Sequence, residues 1–158
     1  MPTPALNVDH WALPIFDVEA TYRFYTDVLE LPLLSSLSGD DWGGKPWLMM
    51  IFGAADGRQL ALCALRGGRR PAQGNLPADV RHFAFSVPSK RDQANWKKRL
   101  KAHGVAFSEE DHGTQQSLYF QDPNGIMLEI TAPPSPTTSK PEPDAHDVVK
   151  HWLEKQRG

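Results

Sequence analysis

Two stretches of the chain follow one plan of apolar and polar positions. "NVDHWALPIFDVEATYRFYTDVLEL" and "DVRHFAFSVPSKRDQANWKKRLKAHGV" each open with a short alternating strand that carries a histidine, turn, and continue at helical spacing. In the first, Ala20, Phe24, Val28 and Leu31 recur every three to four residues, and Asp17 stands where a helix needs an N-cap. In the second, Ala94, Trp96 and Leu100 lie among lysines and arginines, with Ser89 as the cap and Gly104 as the stop. Strand-like runs follow each helix: "LPLLSSL", "PWLMMIFG" and "RQLALCAL" in one half, "VAFSEE", "SLYFQD" and "IMLEITA" in the other. Asp56-Gly57 and Asn124-Gly125 are tight-turn dipeptides that join the last two strands of each half. The pattern predicts β-α-β-β-β modules over residues 6–66 and 79–132, separated by a Gly/Arg/Pro-rich linker over 67–78. Residues 133–158 form a tail. Its prolines in "PPSPTTSKPEPD" exclude a further strand, because proline fixes the backbone and removes ladder donors. "DAHDVVKHWLEKQ" then predicts a short helix capped by Asp144, a packing arm against the domain or a neighbouring subunit, with Val148, Val149, Trp152 and Leu153 on one side.

The fold class implied is α+β. Alternation places Trp11, Leu13 and Ile15 in one row of the first strand and His10 in the other, with Val8 and Ala12. His82 opposes Phe83, Phe85 and Val87 in the same way, and Glu129 opposes Leu128 and Ile130 in the last strand. All three polar exceptions therefore point to the sheet face away from the helices. A carboxylate buried there without a partner costs several kcal/mol, on the order of 2–7 even for uncharged polar groups. Singly, each has an ordinary reading as a hydrogen-bonded or solvated strand residue. Together, at matched positions of a repeat, two imidazoles and one carboxylate make a metal-binding set with open positions. Such a set suits Fe(II), with Mn(II) or Zn(II) as alternatives.

Composition narrows the remaining classes. The 158 residues carry 17 Lys and Arg against 19 Asp and Glu, a formal charge of -2 with no basic stripe, so no nucleic-acid partner is expected. Cys63 is the only cysteine, which excludes an intrachain disulfide and favours a reducing cytoplasm; as a small apolar group it reads as core. "MPTPALNVDH" lacks the basic and apolar regions of a signal peptide, and no window is long and apolar enough to suggest a membrane partner. His103, His146 and His151 read as surface groups.

"VDHWALPIFDVEATYRFYTDVLEL", "RHFAFSV" and "SLYFQDPNGIMLEIT" resemble the vicinal oxygen chelate superfamily, also called the glyoxalase/bleomycin-resistance/extradiol-dioxygenase family. The resemblance covers about residues 6–132. It implies two paired βαβββ modules forming a curved, half-barrel-like mixed sheet around a metal, with the helices on the outer face. It also implies a small-molecule substrate that binds the metal through adjacent oxygens. Carried over residue by residue, the metal ligands are His10, His82 and Glu129. The family's fourth ligand position falls on Ala61, which cannot bind metal, and this departs from a glyoxalase I pattern. The segment "HGTQQSLYFQDPNGIMLE" further resembles the signature of extradiol ring-cleaving dioxygenases. That likeness implies catalytic roles for His112 and Tyr119, because an imidazole can take up a catechol proton near neutral pH and a phenol can donate to an oxyanion. Glu110 departs from the signature's small or β-branched residue, and Gly67, Gly68 and Arg69 stand where such enzymes carry a further histidine. His112 therefore keeps its ordinary reading as a loop histidine beside the catalytic one.

The expectation is a metal-dependent, extradiol-dioxygenase-like enzyme acting on a catecholic or other vicinal-oxygen substrate. Its alternatives are a metal-dependent thiol transferase, lyase or isomerase, and a non-catalytic binder in which Trp42 and Trp47 stack on an aromatic ligand. A homodimer is expected, as for many single-domain members of the family.

Overall fold

The local signals translate into elements largely where they stand. In the computed structural model, which describes residues 6–72, 74–135 and 143–156, Asp17 caps the first helix by accepting a hydrogen bond from the Ala20 amide at 2.9 Å. Ser89 does the same for the second, accepting from Asp92 at 3.2 Å. Part of the predicted linker (residue 73) and the centre of the proline-rich segment (residues 136–142) lie outside the described residues.

The first half runs β1 (His10–Pro14), α1 (Val18–Arg23), a π-helical turn (Phe24–Val28), β2 (Leu33–Gly39), β3 (Trp47–Gly53) and β4 (Gln59–Leu65). After a 3-10 turn at Ala78–Val80, the second half repeats it as β5 (His82–Ser86), α2 (Lys90–Ala102), β6 (Phe107–Asp111), β7 (Gln116–Gln121) and β8 (Met127–Ala132). A last helix, α3, spans Ala145–Gln156. The sheets have orders β1-β4-β3-β2 and β5-β8-β7-β6, each with one parallel pair, β1 with β4 and β5 with β8. The fold is thus α+β, two open four-stranded mixed sheets with helices on one side. No described helix is long and apolar enough to cross a membrane.

Register confirms the internal repeat. Ala12 pairs with Ala61 across β1 and β4, and Ala84 pairs with Glu129 across β5 and β8, each two residues beyond the strand histidine. Ala61 is therefore the structural counterpart of Glu129. Both turn glycines adopt the left-handed backbone their dipeptides demand, Gly57 at φ 87° and Gly125 at φ 77°.

One core joins the halves. Phe24, Tyr25, Val28 and Leu29 of the first helical segment pack with Met50, Phe52, Leu60 and Leu62 below them and with Leu118, Phe120, Leu128 and Ile130 of the second sheet. Two polar clamps reinforce it. The Asn124 side chain accepts from the Phe16 amide at 2.7 Å and donates to Thr21 Oγ1 at 2.8 Å, so the turn of one module holds the helix start of the other. Arg99 of α2 donates to the carbonyls of Val28 at 2.6 Å and Asp27 at 2.5 Å, groups that a helix C-terminus leaves unpaired.

Several expectations need correction. Helical geometry ends at Val28 rather than continuing to Leu31, because Glu30 takes a left-handed φ of 55° and Leu31 bonds back to the Tyr25 carbonyl. In α2 Ala94 is exposed, and Gln93 is buried in its place. Its amide donates to the Gln116 and Ile130 carbonyls at 2.6 and 2.8 Å, a polar anchor that hydrophobic periodicity cannot register. Trp11, assigned to the apolar row of β1, remains 36% exposed, set edge-on to Phe83 with ring centres 4.8 Å apart. In α3, Val148, Val149, Trp152 and Leu153 are all exposed, so of the two expected surfaces for this arm the domain itself is not the one it packs on.

Candidate metal centre

Glu129 sits in the middle of β8 and is 7% exposed, the buried carboxylate whose partner the sequence left open. It has three neighbours. Ser117, one strand over on β7, donates from Oγ to Glu129 Oε1. His82 places Nε2 3.0 Å from Oε2. Tyr119 stands directly opposite Glu129 in the β7–β8 register, close enough for the carboxylate charge to raise its phenol pKa. No buried side-chain nitrogen or oxygen among the described residues lacks a partner.

The His82 ring is oriented from outside the sheet. Its Nδ1 lies 2.6 Å from the Asp79 carbonyl oxygen, in the 3-10 turn before β5. A carbonyl can only accept, so Nδ1 carries a proton, and in the neutral ring Nε2 is the lone-pair nitrogen. That lone pair faces Glu129 Oε2, itself an acceptor. Two acceptors at 3.0 Å are reconciled by a proton shared between them or by a metal ion. The spacing is that of an ordinary hydrogen bond and is also compatible with a metal. Donors about 2.1 Å from one ion and adjacent around an octahedron lie about 3.0 Å apart. His82 and Glu129 therefore fit a divalent ion as two neighbouring ligands, with the Asp79 carbonyl supplying the hydrogen bond that metal-binding histidines commonly have behind them.

His10 is not brought to this pair. Its Nδ1 lies 2.8 Å from Asp9 Oδ1, and its side chain is 54% exposed. Among the described residues no three His, Cys, Asp or Glu side chains gather closely enough to hold a metal ion. The reason is topological. β1 and β5 are edge strands of separate sheets, so no backbone ladder sets the distance between their histidines.

His112 and Tyr119 do meet. His112 Nε2 is 3.2 Å from the Tyr119 hydroxyl, and the Tyr119 ring stands perpendicular to that of His82 with centres 5.6 Å apart. Burial raises the Tyr119 pKa above the usual phenol value, and the charges of Glu129 and Glu110 add to this, so its hydroxyl remains a donor at neutral pH. Glu110, the departure from the dioxygenase signature, lies 3.9 Å from His112 Nε2 and supplies negative charge beside the ring.

Outside this cluster, Cys63 is buried, and burial pushes its thiol pKa up, as expected for an inert core group. Trp42 and Trp47 pack on each other edge to face, with ring centres 5.6 Å apart. Ser117 and the Asp79 carbonyl were missed by sequence reasoning. The parity that places Tyr119 on the face of Glu129 also places Ser117 there, so Ser117 had a legible signal; a backbone carbonyl has none.

The comparisons with known proteins bear on the family and the fold. A model of the Glyoxalase/Bleomycin resistance protein/Dioxygenase superfamily matches residues 7–130. The chain is 25% identical over 130 residues to a catechol-2,3-dioxygenase of Bacillus subtilis, an alignment covering 80% of this chain and 41% of that protein. It is 26% identical over 129 residues to biphenyl-2,3-diol 1,2-dioxygenase 3 of Rhodococcus globerulus, covering 81% of this chain and 63% of that one. It therefore spans less than two thirds of either relative. Among solved structures, a glyoxylase/bleomycin resistance protein/dioxygenase domain from Frankia sp. superposes with a TM-score of 0.67 at 25% identity, over 81% of this chain and 92% of that one. The fosfomycin resistance protein FosX of Listeria monocytogenes, solved with Mn(II), shares the fold at a TM-score of 0.61 and 19% identity, over 83% and 95% of the two chains. Paired βαβββ modules, Glu129 at the centre of the last strand and a family match across nearly all of both modules lead to one conclusion: the chain belongs to the glyoxalase/bleomycin resistance protein/dioxygenase superfamily.

Proposed function

We propose that the protein is a metal-dependent enzyme of the extradiol-dioxygenase type, acting on a small catechol or related vicinal diol. His82 and Glu129 are the ligands that already face one another; His10, the counterpart of His82 in the first module, would be the third and would have to turn from Asp9 to join them. Fe(II) is the ion this donor set suits best. The observation that supports the reading is the His82–Glu129 pair, an imidazole nitrogen and a buried carboxylate oxygen 3.0 Å apart on one face of the sheet, with the His112–Tyr119 pair beside them. The names of the two dioxygenase relatives support the reaction class.

A bound divalent ion would make a chelated diol easier to deprotonate and provide a site for a second reactant. The chain's own residues do the rest. His82 is held in one tautomer by Asp79, so its ligand nitrogen is preset. Tyr119, kept protonated by burial, donates to a substrate oxygen as charge develops there. His112, bonded to that hydroxyl, is placed to take up a substrate proton and pass it to solvent, since its ring is partly exposed.

The test is metal content and oxygen uptake on anaerobically prepared protein. Near-stoichiometric iron, lost in Glu129→Ala and His82→Ala, with oxygen consumed when catechols are added, is the expected result. Manganese or zinc without oxygen uptake would move the assignment to a transferase, lyase or isomerase. No metal after reconstitution would refute the enzyme reading and leave a binding protein.

A further inference from the structure

The metal reading leaves one buried hydroxyl without a role. Ser117 is 1% exposed and lies on β7, two residues from Tyr119 and on the same face. Its register partner is Thr131, two residues beyond Glu129 on β8. This places its hydroxyl against the Glu129 side chain, to which it donates through Oε1.

Resting on the assignment of Glu129 as a ligand, we propose that Ser117 is the positioning residue that holds the carboxylate in its metal-binding orientation. A glutamate has three side-chain torsions, and its terminal one is broad, so a strand backbone alone does not fix where the two oxygens point. Here they are distinguished. Oε1 receives the Ser117 proton, and Oε2 is left facing His82 Nε2 at 3.0 Å. Ser117 cannot swing away easily, because it is enclosed and Thr131 Oγ1 lies 3.2 Å from its oxygen. A carboxylate only accepts, so the serine proton points to Glu129 while Thr131 fills the space behind. The centre is then preset from both sides. Asp79 selects the nitrogen that His82 offers, and Ser117 selects the oxygen that Glu129 offers. Partners of this kind, one bond removed from the metal, commonly change its affinity ten- to a hundredfold when deleted.

The variants are Ser117→Thr, which keeps the hydroxyl, and Ser117→Val, which has nearly the same shape without it. Because both add similar bulk, any cost of overpacking is shared, and the difference between them reports the hydroxyl. Each is titrated with Co(II), whose visible absorption reports coordination, beside wild type and Glu129→Ala; the melting temperature of the metal-free proteins is read in parallel. The expected result is Co(II) binding about 10- to 100-fold weaker in Ser117→Val than in Ser117→Thr, with altered visible bands. Equal affinities and identical bands, while Glu129→Ala loses binding, would overturn the positioning role. In that case a difference confined to metal-free stability would mark Ser117 as a packing group. Wild type that fails to bind Co(II), or Glu129→Ala that binds as well as wild type, would instead sink the ligand assignment on which the proposal rests.

Discussion

Asn124→Ala tests the claim that the two modules are held together by a buried polar latch. Asn124 is 5% exposed, yet uses both ends of its amide. Oδ1 accepts from the Phe16 and Asp17 amides at 2.7 and 3.3 Å, and Nδ2 donates to Thr21 Oγ1 at 2.8 Å and to the Asp122 carboxylate at 2.9 Å. Three of these are well formed, and one of those has a charged acceptor. At about 1 kcal/mol net for a neutral bond and somewhat more for the charged one, the loss comes to roughly 2–4 kcal/mol. Unfolded by urea, the variant should show that decrease with an unchanged m-value, because the same surface is exposed. By heat, at about 2–4 °C per kcal/mol for a domain of this size, the midpoint should fall by roughly 4–16 °C. Asn124→Asp provides a directional control. It keeps an acceptor for Phe16 but sets a second carboxylate against Asp122. The repulsion raises the pKa of the new acid, so the stability that its neutral form permits is lost as pH rises through that value. The variant should therefore fall furthest below wild type near neutral pH and recover part of the gap toward about pH 4. A loss under about 1 kcal/mol for Asn124→Ala would show that the apolar core alone joins the modules. A smaller m-value would show that they unfold separately.

Further expectations follow from other contacts. Tyr119→Phe and His112→Ala should retain metal but lower kcat by about 10²–10⁴ with catecholic substrates; variants that lose metal instead would place these residues in the ligand shell. His10→Ala should weaken metal binding measured by elemental analysis if the third ligand is His10, and unchanged content would leave His82 and Glu129 as the protein's contribution. Arg99→Ala removes two bonds to carbonyls at the end of the first helical segment and should cost about 1–3 kcal/mol in denaturant titrations, whereas no change would mean water replaces the guanidinium. Burial, and then Asp122, raise the Tyr25 pKa well above the usual phenol value. A raised phenol contributes stability that is complete below about pH 10 and is lost as pH rises through the folded value, so wild type should weaken steeply in alkali. In Tyr25→Phe that slope should be shallower by up to about 1.4 kcal/mol per pH unit; equal slopes would refute the attribution.

The sequence was sufficient for the repeat, the two caps, both turn dipeptides and the side of the sheet on which His82, Tyr119 and Glu129 lie. These depend on strand parity, helical spacing and local backbone preference, all written in neighbouring residues. It was also sufficient to align Ala61 with Glu129, because register within a repeated module follows from the module's own pattern. The residues that only tertiary structure revealed are those whose partners lie far along the chain. Arg99 serves carbonyls 71 and 72 residues away, and Gln93 anchors a helix to two strand carbonyls; Asp79, only three residues before His82, is hidden for another reason, since it acts through a backbone carbonyl that no side-chain pattern encodes. Hydrophobic patterning counts such residues as solvent-facing, since it has no term for a polar group satisfied by distant backbone. The same distinction divides the candidate site. Glu129 and Ser117 meet because one hydrogen-bonded ladder joins β7 to β8 and sets their separation, and His82 reaches them because β5 pairs with β8. His10 stands on an edge strand of the other sheet, where parity sets the face and no ladder sets the distance.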